Sequence, residues 1–91
     1  MVYIVNYDIK DADRKDAFLN EAKNIGEILQ YLPHALFIYN IDANVNQGTI
    51  YAQLKQITSD EDLFVVSRAP LSQMSGWLTS SVVDWLKSHN K

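Results

Sequence analysis

The sequence predicts an α+β domain, and three observations support that class. The chain begins with Val2–Ile9, a run of β-branched and aromatic residues that is typical of a β-strand. Two later runs, separated by Pro33-His34, have the same character, and Leu63–Arg68 is a fourth. A segment with apolar residues at the spacing of an amphipathic helix follows the first strand, and a second such segment precedes the last strand. The order strand, helix, strand, strand, helix, strand is that of the ferredoxin-like fold, a four-stranded antiparallel sheet with both helices on one face.

The first strand is apolar on both of its alternating faces, so we expect it to be a central strand of the sheet. Asp8 stands where this strand leaves the sheet. Catalytic and binding residues are concentrated in the connections at such an edge. Asp8 is therefore the first candidate for a catalytic or metal-binding residue.

The first helix is predicted from about Asp13 to Ile25. Asp11 precedes it as an N-cap, and the apolar residues from Phe18 onwards follow the i, i+4, i+7 spacing of one buried face. We expect Gly26 to end the helix as a C′ residue does.

Turn-forming and polar residues separate the remaining elements. Asn46 is placed to cap a second helix with Ile50, Leu54 and Ile57 on its buried face. An acidic loop follows this helix and leads into the last strand. The predicted segments are Glu27–Leu32 (strand), Ala35–Ile41 (strand), Thr58–Asp62 (loop) and Leu63–Arg68 (strand).

One face of the sheet is left without helices in this arrangement. If Ile4 packs on the helices, the residues of opposite alternation point to this open face. Those residues are Tyr3, Val5 and Tyr7. An aromatic-rich face is too apolar to leave in water, so we expect a ligand, a second subunit or the tail to cover it.

The tail is predicted to hold a linker, Leu71–Gly76, and an amphipathic helix, Trp77–Lys87, capped by Thr79 or Ser80. Two tryptophans in so short a segment are typical of core or dimer-interface anchors. The predicted buried stripe is Val82, Trp85 and Leu86.

Composition limits the class of protein. A chain of 91 residues that is 47% hydrophobic and 21% charged predicts one domain, with a core over 1–70 and a linker and C-terminal helix over 71–91. No apolar run is long enough to span a bilayer, no signal peptide is evident, and there is no cysteine for disulfides or thiolate chemistry. A small domain without cross-links favours oligomerisation, so we expect a cytoplasmic homodimer that does not bind membranes.

The net charge of −3 argues against a broad, non-specific nucleic-acid binder, but it leaves room for an enzyme that holds phosphates through a metal ion. Asp8 offers the oxygen donors that Mg²⁺ prefers. One aspartate is a weak ligand set, and a two-fold axis that pairs two copies would double it. The alternative is that Asp8 satisfies the loop into the first helix.

Three further residues are weaker candidates for contacts with a nucleic-acid substrate: Asp11, Arg14 and Arg68. The alternative for Asp11 and Arg14 is a solvated first turn of the helix with a local ion pair, and such an exposed pair contributes little to stability. The alternative for Arg68 is a surface ion pair with the acidic loop. His34 and His89 have no partner at metal-ligand spacing, so we expect no zinc site.

Two sets of residues carry a resemblance to a known family. The set in the N-terminal half is Tyr7-Asp8-Ile9, Asp11, Asp13-Arg14, Gly26, Gln30-Tyr31 and Phe37. The set in the C-terminal half is Leu63–Val66, Gly76–Leu78 and Asp84–Lys87. The first set resembles the CRISPR-associated protein two superfamily, which is related to the virulence-associated D toxins, and the second is closer to its SinR-like branch.

The resemblance implies a homodimer formed through the open sheet faces, with the two Asp8 carboxylates near the two-fold axis. In the family these aspartates are proposed to hold Mg²⁺ for phosphodiester hydrolysis of RNA or DNA. Asp11 and Arg14 would then support the metal and contact phosphate. The alternative is a non-catalytic dimeric binding or accessory module of a defence system or mobile element.

Overall fold

The computed structural model describes residues 1–89, and the predicted order of elements is confirmed within them. The elements are β1 (Val2–Asp8), α1 (Ala12–Ile25), β2 (Glu27–Leu32), β3 (Ala35–Tyr39), α2 (Gln47–Lys55), β4 (Leu63–Arg68), a short 3₁₀ turn (Leu71–Gln73) and α3 (Ser80–His89). The sheet is antiparallel with the order β2-β3-β1-β4, so the fold is ferredoxin-like with an added C-terminal helix. The last two residues of the predicted tail lie outside the described residues.

Strand β1 is central, as the sequence predicts, because it pairs with β3 on one side and with β4 on the other. Val2 and Val5 point to opposite faces of this strand, and both are fully buried. The sheet therefore has two apolar faces that need cover. Within residues 1–89, no helix has both the length and the apolar character needed to cross a membrane.

Helices α1 and α2 cover one face of the sheet. Their buried residues, Phe18 in α1 and Ile50 in α2, form a single core with alternate residues of β1. The residues that β1 contributes to this core are Tyr3, Val5 and Tyr7. Ile4 packs on the opposite face, which is the reverse of the alternation considered from the sequence.

Two hydroxyl groups give the physical reason for this orientation. Tyr3 Oη donates to the carbonyl oxygen of Val45 at 2.9 Å. Tyr7 Oη accepts a hydrogen bond from Gln30 Nε2 at 3.0 Å. Both tyrosine rings can therefore be buried beneath the helices while their polar ends keep partners at the rim of that layer.

Both helices of this layer begin where the sequence predicts. Asp11 Oδ1 accepts the backbone N–H of Arg14 at 3.0 Å, which confirms it as the N-cap of α1. Asn46 and Thr49 form a reciprocal capping box at the start of α2, with bonds of 3.0 Å and 2.9 Å. Helix α2 ends before Ile57, which still packs against the core.

Gly26 ends α1, but not through the left-handed conformation of a C′ glycine. Its backbone is extended, with φ of −177°, a value that any residue adopts. Glycine is required for a different reason: a Cβ at this position would collide with the backbone carbonyl of Tyr39 in β3. The close approach of the α1–β2 connection to β3 selects the residue.

Helix α3 covers part of the other face of the sheet within the same chain. Leu86 is buried against Phe37 in β3 and Val2 in β1. The Trp85 ring stacks near the Phe37 ring, with 6.1 Å between centroids. The tail is therefore the cover in this structure, and the predicted stripe is confirmed, with Leu86 buried and Val82 and Trp85 partly buried.

The C-terminal end of α3 is tied to the start of β2. His89 Nε2 lies 2.9 Å from Glu27 Oε2, and the indole N–H of Trp85 donates to Glu27 Oε1 at 3.3 Å. The hydrogen bond to His89 lowers the pKa of the Glu27 carboxyl group. These contacts hold the helix along the sheet edge.

Thr79, one of the two predicted caps, occupies the cap position of α3, and the helix begins after it and not at Trp77. The carbonyl oxygen of Thr79 accepts the first helical hydrogen bond from Val83, so Trp77 and Leu78 precede the helix. Leu78 packs against the second core, whereas the Trp77 side chain is 99% exposed.

We expect Gly26→Ala to lower the free energy of unfolding by about 1–3 kcal/mol, because the added methyl group meets backbone that cannot move aside. Gly76→Ala is the matched control, since a Cβ there has no atom within 4 Å. It should leave stability unchanged or raise it by up to about 1 kcal/mol. Urea denaturation of the three proteins measures both effects, and equal midpoints for Gly26→Ala and wild type would contradict the close approach.

Candidate functional site

Asp8 occupies the last position of the central strand, as the sequence predicts. It pairs with Leu63 at the start of β4, and by alternation it shares a face with Ile4 and Asn6. This is the face on which α3 packs, but Asp8 lies beyond the part that α3 covers. Half of its side chain is exposed.

The uncovered part of this face forms a continuous surface around Asp8. Asn6 is exposed, Leu63 is 68% exposed and Val65 is 57% exposed. The register places these four side chains on one face of neighbouring strands. We call Asn6, Asp8, Leu63 and Val65 the Asp8 patch.

The one ion pair of Asp8 within the described residues is with Lys10, whose Nζ lies 2.6 Å from Asp8 Oδ2. The hydrogen bond to Asp8 raises the pKa of Lys10. Both side chains are about half exposed, at 51% and 50%, and an exposed pair of this kind contributes little to stability. Asp8 can therefore exchange this partner for a cation at small cost.

A second carboxylate, Asp62, organises the same edge of the molecule. Its side chain is fully buried and accepts hydrogen bonds from three segments. Arg14 donates through Nε at 2.9 Å and through Nη2 at 3.2 Å. The backbone N–H groups of Lys10 and Ser59 each donate at 2.9 Å.

These donors determine the charge of Asp62. The Arg14 guanidinium, with the two backbone N–H groups, holds the pKa of the Asp62 carboxyl group well below its usual range. The same hydrogen bond raises the pKa of Arg14. The pair therefore stays ionised and joins the β1–α1 connection to the turn before β4.

Asp62 is the residue that sequence reasoning missed, because it was grouped with its neighbours in an acidic loop. Asp60 and Glu61 are exposed in that loop, whereas Asp62 is buried. Its position immediately before a strand, three residues after Ser59, was the available signal. This local signal is weak, because the main partner of Asp62, Arg14, is 48 residues away in sequence.

The structure brings three of the four predicted site residues to one edge. Asp8 ends β1, Asp11 caps α1 and Arg14 lies in the first turn of α1. Arg14 already binds Asp62, so its principal contact is structural. Arg68 lies opposite Tyr3, five strand positions from Asp8 and about 17 Å away along the sheet.

This position also separates Arg68 from the acidic loop, which lies at the other end of β4. An ion pair between them is thus not the role of Arg68.

Across residues 1–89, no group of three or more His, Asp or Glu side chains is placed to hold a metal ion. A metal site at Asp8 needs further donors from water, substrate or a second copy of the chain.

Comparison with known proteins identifies the fold and no family. No family model matches the chain, and no curated protein matches it. Among solved structures, the hypothetical protein TT1823 from Thermus thermophilus is similar, with a TM-score of 0.60 and 20% sequence identity. The similarity covers 86% of this chain and 93% of that chain. At this identity the likeness shows a shared fold alone.

We expect Asp62→Asn to lower the melting temperature by several degrees at neutral pH, since it removes the charge that Arg14 and two backbone N–H groups bind. Asp60→Asn changes an exposed acid of the same turn and should have little effect.

The pH dependence follows from the direction of the pKa shift. Because the pKa of Asp62 is lowered on folding, its contribution is complete above the ordinary aspartate value of about 3.9 and is lost as the pH falls below that value. The difference in melting temperature between wild type and Asp62→Asn should therefore be constant above about pH 5 and shrink towards pH 2. A difference that grows on acidification would contradict the assignment.

Proposed function

We propose that the protein is a homodimer that binds Mg²⁺ between the Asp8 carboxylates of two copies and cleaves phosphodiester bonds in RNA or DNA. The observation that supports this most is the position of Asp8. It is a half-exposed carboxylate at the end of the central strand, on a surface that the chain's own helices leave uncovered.

The Asp8 patch supports the dimer. Leu63 and Val65 are large apolar side chains exposed on a sheet face, and pairing two such patches would remove them from water. A two-fold axis through the patch makes the contact self-complementary and brings each Asp8 towards its mate. Two carboxylates and several waters are a ligand set that Mg²⁺ accepts.

Each residue near Asp8 has a role that its contacts favour. Asp8 would hold the metal through its carboxylate oxygens, and Lys10, which pairs with Asp8 here, would be free to bind a phosphate oxygen. Asp11 and Arg14 position the β1–α1 connection, the former as N-cap and the latter through Asp62. When bound, the metal polarises the phosphate and supplies an activated water.

A second function, a dimeric module that binds nucleic acid or protein in a defence system or mobile element without cleaving it, is favoured by one contact. Lys10 lies 2.6 Å from Asp8 and neutralises the charge that a metal would use. In that case the Lys10–Asp8 pair is a fixed part of the β1–α1 connection, and the Asp8 patch serves for association alone.

The two functions are separated by a cleavage assay on wild type, Asp8→Ala and Asp8→Asn. Each is incubated with labelled single-stranded RNA and double-stranded DNA in Mg²⁺, Mn²⁺ or EDTA. We expect metal-dependent cleavage by the wild type that falls to the EDTA level in both variants, because one carboxylate per copy holds the metal.

Asp16→Asn is the matched control, since Asp16 is an exposed aspartate on α1. It should cleave as the wild type does. Equal background in wild type and both Asp8 variants would reject the nuclease and leave the binding module.

A further inference from the structure

A pocket lies on the sheet face that α3 partly covers. It encloses about 500 Å³ between the sheet, the segment after β4 and α3. Its floor includes Ile4 and the stacked rings of Tyr31 and Phe37, whose centroids are 4.2 Å apart. Val83 and Leu86 of α3 form one wall. No charged side chain lines it, so its chemistry suits an uncharged ring.

Beside this pocket stands a tryptophan with no cover. The Trp77 side chain is 99% exposed, although tryptophan is among the side chains that gain most from burial. Its two neighbours in sequence, Gly76 and Leu78, both line the pocket. Trp77 itself does not line the pocket, and its exposure shows that the ring faces away from the pocket that its neighbours form.

We propose that Trp77 inserts into this pocket on a second copy of the chain, and that the exchange is reciprocal. The inference rests on the homodimer of the proposed function and identifies the contact that holds it together. In a two-fold interface each copy must supply both the inserting ring and the pocket that receives it. The Gly76–Leu78 segment supplies the ring of Trp77, and Gly76 and Leu78 on either side of it line the pocket.

The location of the pocket fits this arrangement. Ile4, which lines it, lies on the same face of β1 as Asn6 and Asp8, so the pocket and the Asp8 patch adjoin on one surface. A buried indole removes about 150–250 Å² from water. Two insertions therefore remove about 300–500 Å² of indole surface from water, a substantial part of the roughly 1,200 Å² of the smaller specific interfaces.

The test measures the dimer dissociation constant by sedimentation equilibrium for wild type and three variants. Trp77→Ala removes the ring, and Val83→Phe fills the pocket. Each should raise the dissociation constant at least tenfold. Ile41→Ala is the control, since it removes another exposed apolar side chain, 81% exposed in the native chain. This control should dimerise as the wild type does.

Mixing distinguishes insertion from a general loss of structure. Val83→Phe still carries Trp77, and Trp77→Ala still carries an open pocket. An equimolar mixture should therefore form a heterodimer with one insertion, tighter than either variant alone. A mixture no tighter than its components, or a Trp77→Ala protein that dimerises as the wild type does, would overturn the inference.

A measurement without pocket mutations makes the test independent of how Val83→Phe folds. In a Trp85→Phe background Trp77 is the sole tryptophan. Its emission should shift to shorter wavelength and its quenching by iodide should fall as the protein concentration is raised through the dissociation constant. The inference would also be overturned if, in the dimer, the emission wavelength of Trp77 and its quenching by iodide were the same as in the monomer.

The outcomes separate this inference from the proposed function. If Trp77→Ala dimerises as well as the wild type does, the insertion alone is rejected and the Asp8 patch remains as the interface. Equal background cleavage by the wild type and both Asp8 variants rejects the nuclease and leaves the insertion standing.

Discussion

The need to cover both faces of one apolar sheet determines most of this structure. Strand β1 directs Tyr3 and Val5 to one face and Val2 and Ile4 to the other, and the residues on both sides are buried or nearly so. Helices α1 and α2 cover the first face. Within residues 1–89 one short helix, α3, is left for the second face, and it covers part of that face and leaves the rest to solvent or a partner.

The site residues follow from this division. The part of the second face that α3 reaches holds the pocket and its stacked rings. The part that it does not reach holds the Asp8 patch. The edge beyond Asp8 is then fixed by the buried carboxylate of Asp62, which joins Arg14 and Lys10 to the turn before β4. A rigid connection beside a half-exposed carboxylate is suited to presenting that carboxylate to a ligand.

Local signals predicted the elements, and contacts distant in sequence decided the details. The N-caps Asp11 and Asn46 were predictable because their partners lie three residues away. The requirement for Gly26 was not, because its neighbour is Tyr39 on another strand. Strand alternation correctly separated Ile4 from Tyr3, Val5 and Tyr7, but it could not say which face the helices would take.

The candidate site shows the same limit. Asp8 could be located at a strand end from the pattern of residues alone. The burial of Asp62 depends on Arg14, which no spacing rule connects to it. The tail helix was predictable as a unit with its cap at Thr79, because the cap and the apolar spacing are local signals, but Trp77 and Leu78 lie outside the helix.

The central claim is that α3 docks on the sheet of its own chain through Trp85, which stacks on Phe37 and His89 and binds Glu27. The most direct test is urea denaturation of Trp85→Ala and Trp85→Phe. We predict that Trp85→Ala lowers the free energy of unfolding by about 3 kcal/mol. Trp85→Phe keeps a ring in place and should lower the free energy of unfolding much less. An unfolding free energy unchanged by alanine would show that α3 is not docked and would contradict the account.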